Sequence, residues 1–333
     1  MKEYLSKVRD RIINREDNLM NNWHWQQGVA LAGLCETFNR TNDSLCMDYI
    51  KKWADQRLSA KYPGYSVNTC APLISVLDLY KHTGEQKYFD ICTDFAKWCL
   101  VQEPRSVRGA FEHTCVDNHT TDNQVWADTL FMSCIFLAKY SVFVKEDMYM
   151  HEALRQFVLH YKLLKDDKTS LIYHGFFGTE GEKRGVLWGR GNGWFAASSA
   201  IVLSLADDSF CEYETVKNNY VDYISELIKY QNADGSFNTV IDDPNSYSEM
   251  TATSAFAFAI NEGLNQGILD KQLLPNAQKA CSALIKNIAY DGTVLNASDG
   301  TCVMSNKDDY NKIRTCYSQY AQGLAMLALA SFL

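Results

Sequence analysis

Apolar residues return every three or four positions along most of this chain, and strict two-residue alternation is nearly absent. The period predicts twelve helices, near 2–14, 26–41, 43–58, 69–83, 86–102, 124–142, 147–165, 191–206, 212–231, 249–265, 270–289 and 317–331. Two kinds alternate. One is amphipathic and charged, as from Tyr213 to Tyr230; the other is small and apolar almost all round, as in Ala196-Ala197-Ser198-Ser199-Ala200-Ile201-Val202-Leu203 and Thr253-Ser254-Ala255-Phe256-Ala257-Phe258-Ala259-Ile260. A helix apolar on every side belongs inside. The order is therefore outer helix, inner helix, six times over.

The connections alternate as well. Inner-to-outer turns are short: Thr41-Asn42, Gly84-Glu85, Phe143 to Glu146, Ala206 to Cys211 and Gln266 to Leu269. Outer-to-inner segments are long: 15–25, 59–68, 103–123, 166–190, 232–248 and 290–316. Short turns and long loops must then lie at opposite ends of a bundle. Six such hairpins close most simply into a double ring, an all-α (α/α)6 barrel, with residues 1–333 as one domain. One end is a plain floor. The other is a cleft walled by loops, where functional residues concentrate. A solenoid of hairpins is the alternative. Against it, the chain has no tight repeat, only an echo of Asp234-Gly235-Ser236-Phe237 in Asp291-Gly292-Thr293-Val294.

Composition narrows the function classes. The chain of 333 residues is 47% hydrophobic and carries a net charge of -8. No Lys/Arg cluster forms a nucleic-acid footprint. No apolar stretch is long enough to span a membrane. The opening MKEYLSKVRDRIINREDN is amphipathic and lacks the apolar region of an export signal, so a cytoplasmic location is expected. Eleven cysteines, an odd number scattered mostly through helical patterns, read as reduced, buried thiols.

The long loops carry unusual chemistry. Four of the seven His and five of the seven Trp fall at the predicted cleft end, among them Trp25, His113, Trp126, His174, Trp188 and Trp194. Trp faces suit sugar rings, and Arg or His suits a carboxylate. In Gln124-Val125-Trp126-Ala127-Asp128-Thr129-Leu130-Phe131-Met132 one carboxylate stands on an apolar helix stripe, sharing a face with Phe131, Met132 and Ile135. Burial there would raise its pKa and make Asp128 a candidate general acid. The plainer reading is a first-turn Asp that stabilises the helix dipole. The glycines of Trp188-Gly189-Arg190-Gly191-Asn192-Gly193-Trp194 let the backbone approach a ligand closely, but without a preceding strand or a following Lys-Ser/Thr they form no phosphate loop. His113-x-Cys115-x-Asp117-x-His119 has metal-ligand types without the usual zinc pairing, and no metal or cofactor is expected.

At these residues the chain resembles the unsaturated rhamnogalacturonyl hydrolases of glycoside hydrolase family 105, relatives of the unsaturated glucuronyl hydrolases of family 88. The resemblance runs through Trp25-Gln26-Gln27-Gly28, Leu79-Tyr80-x-x-Thr83-Gly84-x-x-Lys87-Tyr88, the Asp128 run, Tyr173-His174-Gly175, Leu187 to Trp194 and Ser254-Ala255-Phe256. It implies an (α/α)6 barrel with Asp128 as the main catalytic carboxylate. His113, Trp126, His174, Trp188 and Arg190, with Trp25, Met132 and Trp194 in the same runs, are then expected on the substrate. Two departures stand out. Asn68 falls where the family usually has a second Asp, and Thr114 where a basic residue often follows the His.

The substrate implied is a short oligosaccharide ending in a 4,5-unsaturated uronic acid. It is opened by hydration of the C4–C5 double bond with Asp128 as acid and then base, and Asn68 orients water or a hydroxyl. Arg190 and His174 are expected to hold the ring carboxylate, Arg190 in bidentate fashion. Ordinary glycosidases need two carboxylates, so Asn68 disfavours that chemistry unless Glu249 substitutes. A saccharide-binding protein with a degenerate site, or a sugar epimerase using His113 and His174, are the alternatives.

Overall fold

The computed structural model describes residues 1–15, 18–115 and 123–333. Six inner helices form a ring: α2 (Trp25–Thr41), α5 (Leu73–Thr83), α7 (Ile135–Val144), α9 (Gly189–Leu205), α11 (Met250–Asn265) and α14 (Gln319–Ser331). Each packs on the next, and α14 packs on α2 to close the circle. The closure rules out a solenoid, whose first and last repeats do not touch. Close approach at this seam depends on Gly33 and Gly323. A Cβ on Gly33 would meet Gly323 O at 2.4 Å, and one on Gly323 would meet Val29 O at 2.2 Å.

Six amphipathic helices cover the ring: α1 (Lys2–Ile13), α3 (Ser44–Ala60), α6 (Gln86–Val101), α8 (Asp147–Leu164), α10 (Tyr213–Leu227) and α12 (Leu274–Lys286). They sit over the seams, α3 on α2 and α5, α6 on α5 and α7, and α12 on α11 and α14. Four of the short turns close on a left-handed residue, Asn42, Gly84, Lys145 and Gly267, which satisfies the last helical carbonyls without a longer loop. This is an (α/α)6 barrel, as the alternation of helix types predicts.

Local differences from the predicted helices cluster at the loop end. The helix expected over 69–83 is two pieces, α4 (Val67–Cys70) and α5, because Pro72 has no N–H with which to continue the ladder. A capping box starts α4: Ser66 Oγ accepts from Thr69 N–H, and Thr69 Oγ1 accepts from Ser66 N–H. The helix expected from 124 begins only at Asp128. Val125–Trp126 instead forms strand β1, which pairs with β2 (Gly175–Phe177), and β2 with β3 (Glu182–Arg184). Past Asp128 the chain makes a π turn over Leu130–Cys134 before α7. Such turns recur at functional sites. A fourteenth helix, α13 (Lys307–Asn311), lies within the last long loop.

Candidate active site

Backbone pairing brings the two most informative sequence runs together. Trp126 lies opposite Gly175 in the β1–β2 ladder, and Ala127 N–H donates to His174 O at 3.0 Å. His174 N–H donates in turn to Val186 O at 3.1 Å. Asp128 and His174 thus leave adjacent strand ends toward each other. His174 Nε2 lies 3.3 Å from Asp128 Oδ2. The two are at ion-pair distance, and neither atom has another hydrogen-bond partner although both are buried. The Asp128 side chain keeps 15% exposure while His174 has none. Oδ2 is covered, so that exposure belongs to the rest of the side chain.

Around this pair the aromatic rings form a wall. Trp126 stacks on His113 at 4.4 Å and 9° and presents its face edge-on to His174 at 5.5 Å. Trp188 packs on His174 at 4.1 Å, and the Arg190 guanidinium lies 4.6 Å from the Trp188 ring and 5.1 Å from Tyr320. Behind them, Trp194 is fully buried against Phe131 and Trp25, and Met132 is buried on the π turn. Trp25 alone of these indoles is only partly buried. The structure therefore gathers Asp128, His113, Trp126, His174, Trp188 and Arg190 into one cluster, with Trp194 and Met132 beneath it. Three donors of the cluster have no partner: Trp188 Nε1, Trp194 Nε1 and Arg190 Nε. Buried donors without partners cost free energy.

Four expectations need correction. First, Asp128 does not have a raised pKa. Burial pushes it up, but the hydrogen-bonding and positive charge of His174, then His113 and Arg190, outweigh burial and hold it below the usual Asp range. Second, Arg190 is not a free fork. Nη1 donates to Ser298 O at 2.9 Å and to Ser298 Oγ, and Nη2 donates to Asp299 O at 2.7 Å. The Nη1 end is spent on the loop, and only the Nε–H and one Nη2–H of its five N–H groups are left for a ligand. Third, the glycines beside Arg190 face protein rather than ligand: a Cβ on Gly189 would strike Asn238 O at 2.5 Å, and one on Gly193 would press Ala255 Cβ at 2.9 Å. Fourth, Glu249 is no substitute carboxylate. It is fully buried, accepts from Thr251 and Ala252 N–H as the cap of α11, and also accepts from Thr251 Oγ1 and Ser298 N–H.

The histidines differ in state. Burial drives His113 down to about 4, so it is a neutral ring, with Nδ1 3.1 Å from Thr129 Oγ1. His174 is also lowered by burial, with hydrogen bonding and charge from Asp128 working against that. Asn68 is buried on α4, where its N–H donates to Thr114 O at 3.3 Å. Its side chain is near the Cys115 thiol. Thr114 Oγ1 accepts from Val67 N–H at 2.8 Å, so this hydroxyl braces the turn that carries Asn68. Asp117 and His119 of the metal-type run lie outside the described residues.

Some groups of the cluster gave no signal in the sequence. Tyr310, on α13, places its hydroxyl 2.6 Å from His174 Nδ1. Ser298 O accepts from Arg190 and from the Tyr320 hydroxyl (2.6 Å), and Ser298 N–H donates to Glu249. Both lie in the long, irregular 290–316 segment, outside every motif.

Comparison with known proteins agrees with the geometry. The profile of Glycosyl Hydrolase Family 88 matches residues 4–333. The unsaturated rhamnogalacturonyl hydrolase YesR of Bacillus subtilis (strain 168) is 31% identical over 334 residues, covering 99% of this chain and 95% of its own length. Two solved structures superpose with a TM-score of 0.94, each described as a possible member of the GH105 family. One, from Klebsiella pneumoniae, is 26% identical and covers 99% of this chain and 92% of its own. The other, from Salmonella enterica, is 27% identical and covers 99% and 93%. With the ring of six helical hairpins and the Asp128–His174 cluster at its loop end, the match along nearly the whole length establishes that this chain belongs to glycosyl hydrolase family 88.

Proposed function

We propose that the enzyme removes a 4,5-unsaturated uronic acid from the non-reducing end of short oligosaccharides by hydrating its C4–C5 double bond. The observation that carries this reading is a lone acid–base pair. One oxygen of Asp128 faces the buried His174 Nε2, and the Asp128 side chain keeps partial exposure. Among the described residues, the groups that act most on Asp128 besides burial are His174, His113 and Arg190, with no second carboxylate among them. Asn68 and the engaged Glu249 leave direct glycosidic hydrolysis without its second acid. Protonating an enol ether needs one proton carrier.

Asp128 protonates C4, and positive charge develops at C5 and the ring oxygen. Water adds at C5 and gives its proton back to the Asp128 carboxylate. The hemiketal opens by breaking the C5–ring-oxygen bond, leaving a ketone at C5 and a hemiacetal at C1, which expels the rest of the oligosaccharide as an alcohol. The ring carboxylate is matched by the unpartnered Trp188 Nε1 and Arg190 Nε donors at the start of α9. Trp25, partly buried, offers apolar ring surface to the sugars. The B. subtilis relative is named for unsaturated rhamnogalacturonyl substrates, which supports a uronide of that class here. Seven buried free thiols suit work in a reducing compartment, on imported fragments rather than polymer.

The double bond is the discriminating feature. An unsaturated disaccharide released by a lyase is expected to turn over with loss of its conjugated absorbance, while the saturated uronide of the same linkage is left intact. Comparable cleavage of the saturated sugar would point to direct glycosidic hydrolysis and overturn the reading.

The pair also sets a pH profile. Asp128 sits below the usual Asp range and His174 below 6.5, so between those values the pair holds one proton, the number that the reaction needs. As pH rises through the His174 value that proton is lost, and kcat/KM is expected to fall about tenfold per pH unit from a midpoint below 6.5. A bound anion opposes the loss, so the limb in kcat lies higher. A kcat/KM profile still flat at pH 8 would show that the catalytic proton comes from elsewhere.

A further inference from the structure

We infer that Tyr310 is a positioning residue: its hydroxyl donates to His174 Nδ1 and so fixes the tautomer whose Nε2–H faces Asp128. The inference rests on the hydrolase reading above and goes beyond it to a residue outside the matched runs. Two neighbours favour the phenol as donor: Met304 N–H, which takes one acceptor site of its oxygen, and the Asp128 carboxylate, which draws the ring hydrogen to Nε2. The Tyr310 oxygen lies 2.6 Å from His174 Nδ1 and 3.1 Å from Met304 N. A backbone N–H can only donate, so the phenol oxygen accepts from Met304. Its own proton is then free to point at Nδ1, which accepts it. A neutral imidazole that accepts at Nδ1 carries its hydrogen on Nε2, and Nε2 is the atom 3.3 Å from Asp128 Oδ2.

The geometry around Tyr310 holds this arrangement in place. Tyr310 has no exposure, and burial keeps its phenol protonated well above neutral pH. It packs with Val186, Trp188 and Val240 in a small cluster of its own, apart from the main core. Gly185, at φ 78°, leaves room for it: a Cβ there would lie 2.6 Å from the Tyr310 oxygen. The segment carrying Tyr310 is tied to the barrel at Ser298 by Arg190, Glu249 and Tyr320. The engaged guanidinium thus acquires a second purpose, since it fastens the loop that delivers Tyr310.

The consequence for catalysis is directional. An Nε2–H on His174 stabilises the Asp128 carboxylate left after proton delivery to C4, and the other tautomer would set a lone pair against it. The remaining charged or titratable groups acting on His174 are Asp128 and Arg190, with His113 stacked under Trp126 and Cys302 near Tyr310. Asp128 favours the imidazolium and Arg190 opposes it. The Asp128 carboxylate favours the Nε2–H tautomer from one side of the ring, and Tyr310 is the group that favours it from the Nδ1 side.

The test is Tyr310→Phe in the full chain, with two readouts. In nitrogen-15 NMR of histidine-labelled wild-type protein without substrate, Nδ1 of His174 is expected to be unprotonated and Nε2 protonated, with a tautomer mixture in the variant. On the unsaturated disaccharide, Tyr310→Phe is expected to lower kcat about 10- to 100-fold with KM unchanged. It should also move the alkaline limb of kcat/KM upward, because the imidazolium then no longer meets a hydroxyl donor. In a His174→Gln background the same change is expected to add nothing further to the loss in kcat. A wild-type Nδ1–H tautomer, or an unshifted pH limb with full additivity, overturns the positioning role and leaves the hydrolase reading standing. Absence of turnover by the wild type would overturn the hydrolase reading instead, and the NMR result would still decide the tautomer.

Discussion

Asp128→Asn is expected to lower kcat on an unsaturated uronyl disaccharide by about 10² to 10⁴, the usual loss for one proton-transfer group. The substitution keeps the size of the side chain and its place at the first turn after β1, so the fold is expected to survive. What it removes is the capacity to carry a proton to C4 and to take one from water. Because the neighbours of this group outweigh its burial and hold it below the usual Asp range, an anionic sugar that offsets them is expected to favour the acid form. An amide cannot be switched in that way. Decay of the conjugated absorbance under single-turnover conditions measures the step directly. A rate within a few-fold of wild type would remove Asp128 from the mechanism.

The second large effect is expected at Arg190, and it combines binding with stability. Its guanidinium makes three hydrogen bonds to Ser298 and Asp299 while fully buried between Trp188 and Tyr320. Arg190→Lys keeps the charge but cannot span those acceptors in one plane. A buried hydrogen bond to a charged group is worth about 1.5–3 kcal/mol, and an acceptor left without a partner costs a similar amount. At about 2.1 cal/mol/K of unfolding entropy per residue, a fall in Tm of about 1.4 °C for each kcal/mol lost is expected. KM for the disaccharide is expected to rise at least about tenfold, which corresponds to about 1.4 kcal/mol of binding. A side chain that touched only the substrate would raise KM and leave Tm where it was. An unchanged Tm in Arg190→Lys would therefore contradict the latch at Ser298.

How much of the site was legible depended on the reach of each signal. Trp126 and Asp128 stood out because a carboxylate on an apolar stripe is visible within a few residues. The runs around His174 and Trp188–Trp194 were legible through resemblance, and the structure brings them into one cluster with Asp128. The state of Asp128 was not legible. Burial read from its own helix predicts a raised pKa, while the opposing groups arrive from residues 113, 174 and 190. Glu249 could be named but not assigned, since its role as a cap that also holds Ser298 appears only when the last loop folds back onto α11.

By itself the sequence determined the order of outer and inner helices, the end of the barrel where the long loops gather, and the residue types available there. These are properties of short windows: a 3.6-residue period, a stop signal such as Gly84, a run of small apolar residues. Tertiary structure alone decided the closure of the ring at Gly33 and Gly323, the strand that replaces the first turn at Val125–Trp126, and the π turn after Asp128. It also decided which polar groups face one another. His174 meets Tyr310 across 136 positions, and Arg190 meets Ser298 across 108. No local pattern encodes such pairs. They form because a buried donor must find an acceptor, and which acceptor is within reach is set by how the barrel closes and where its last loop comes to rest.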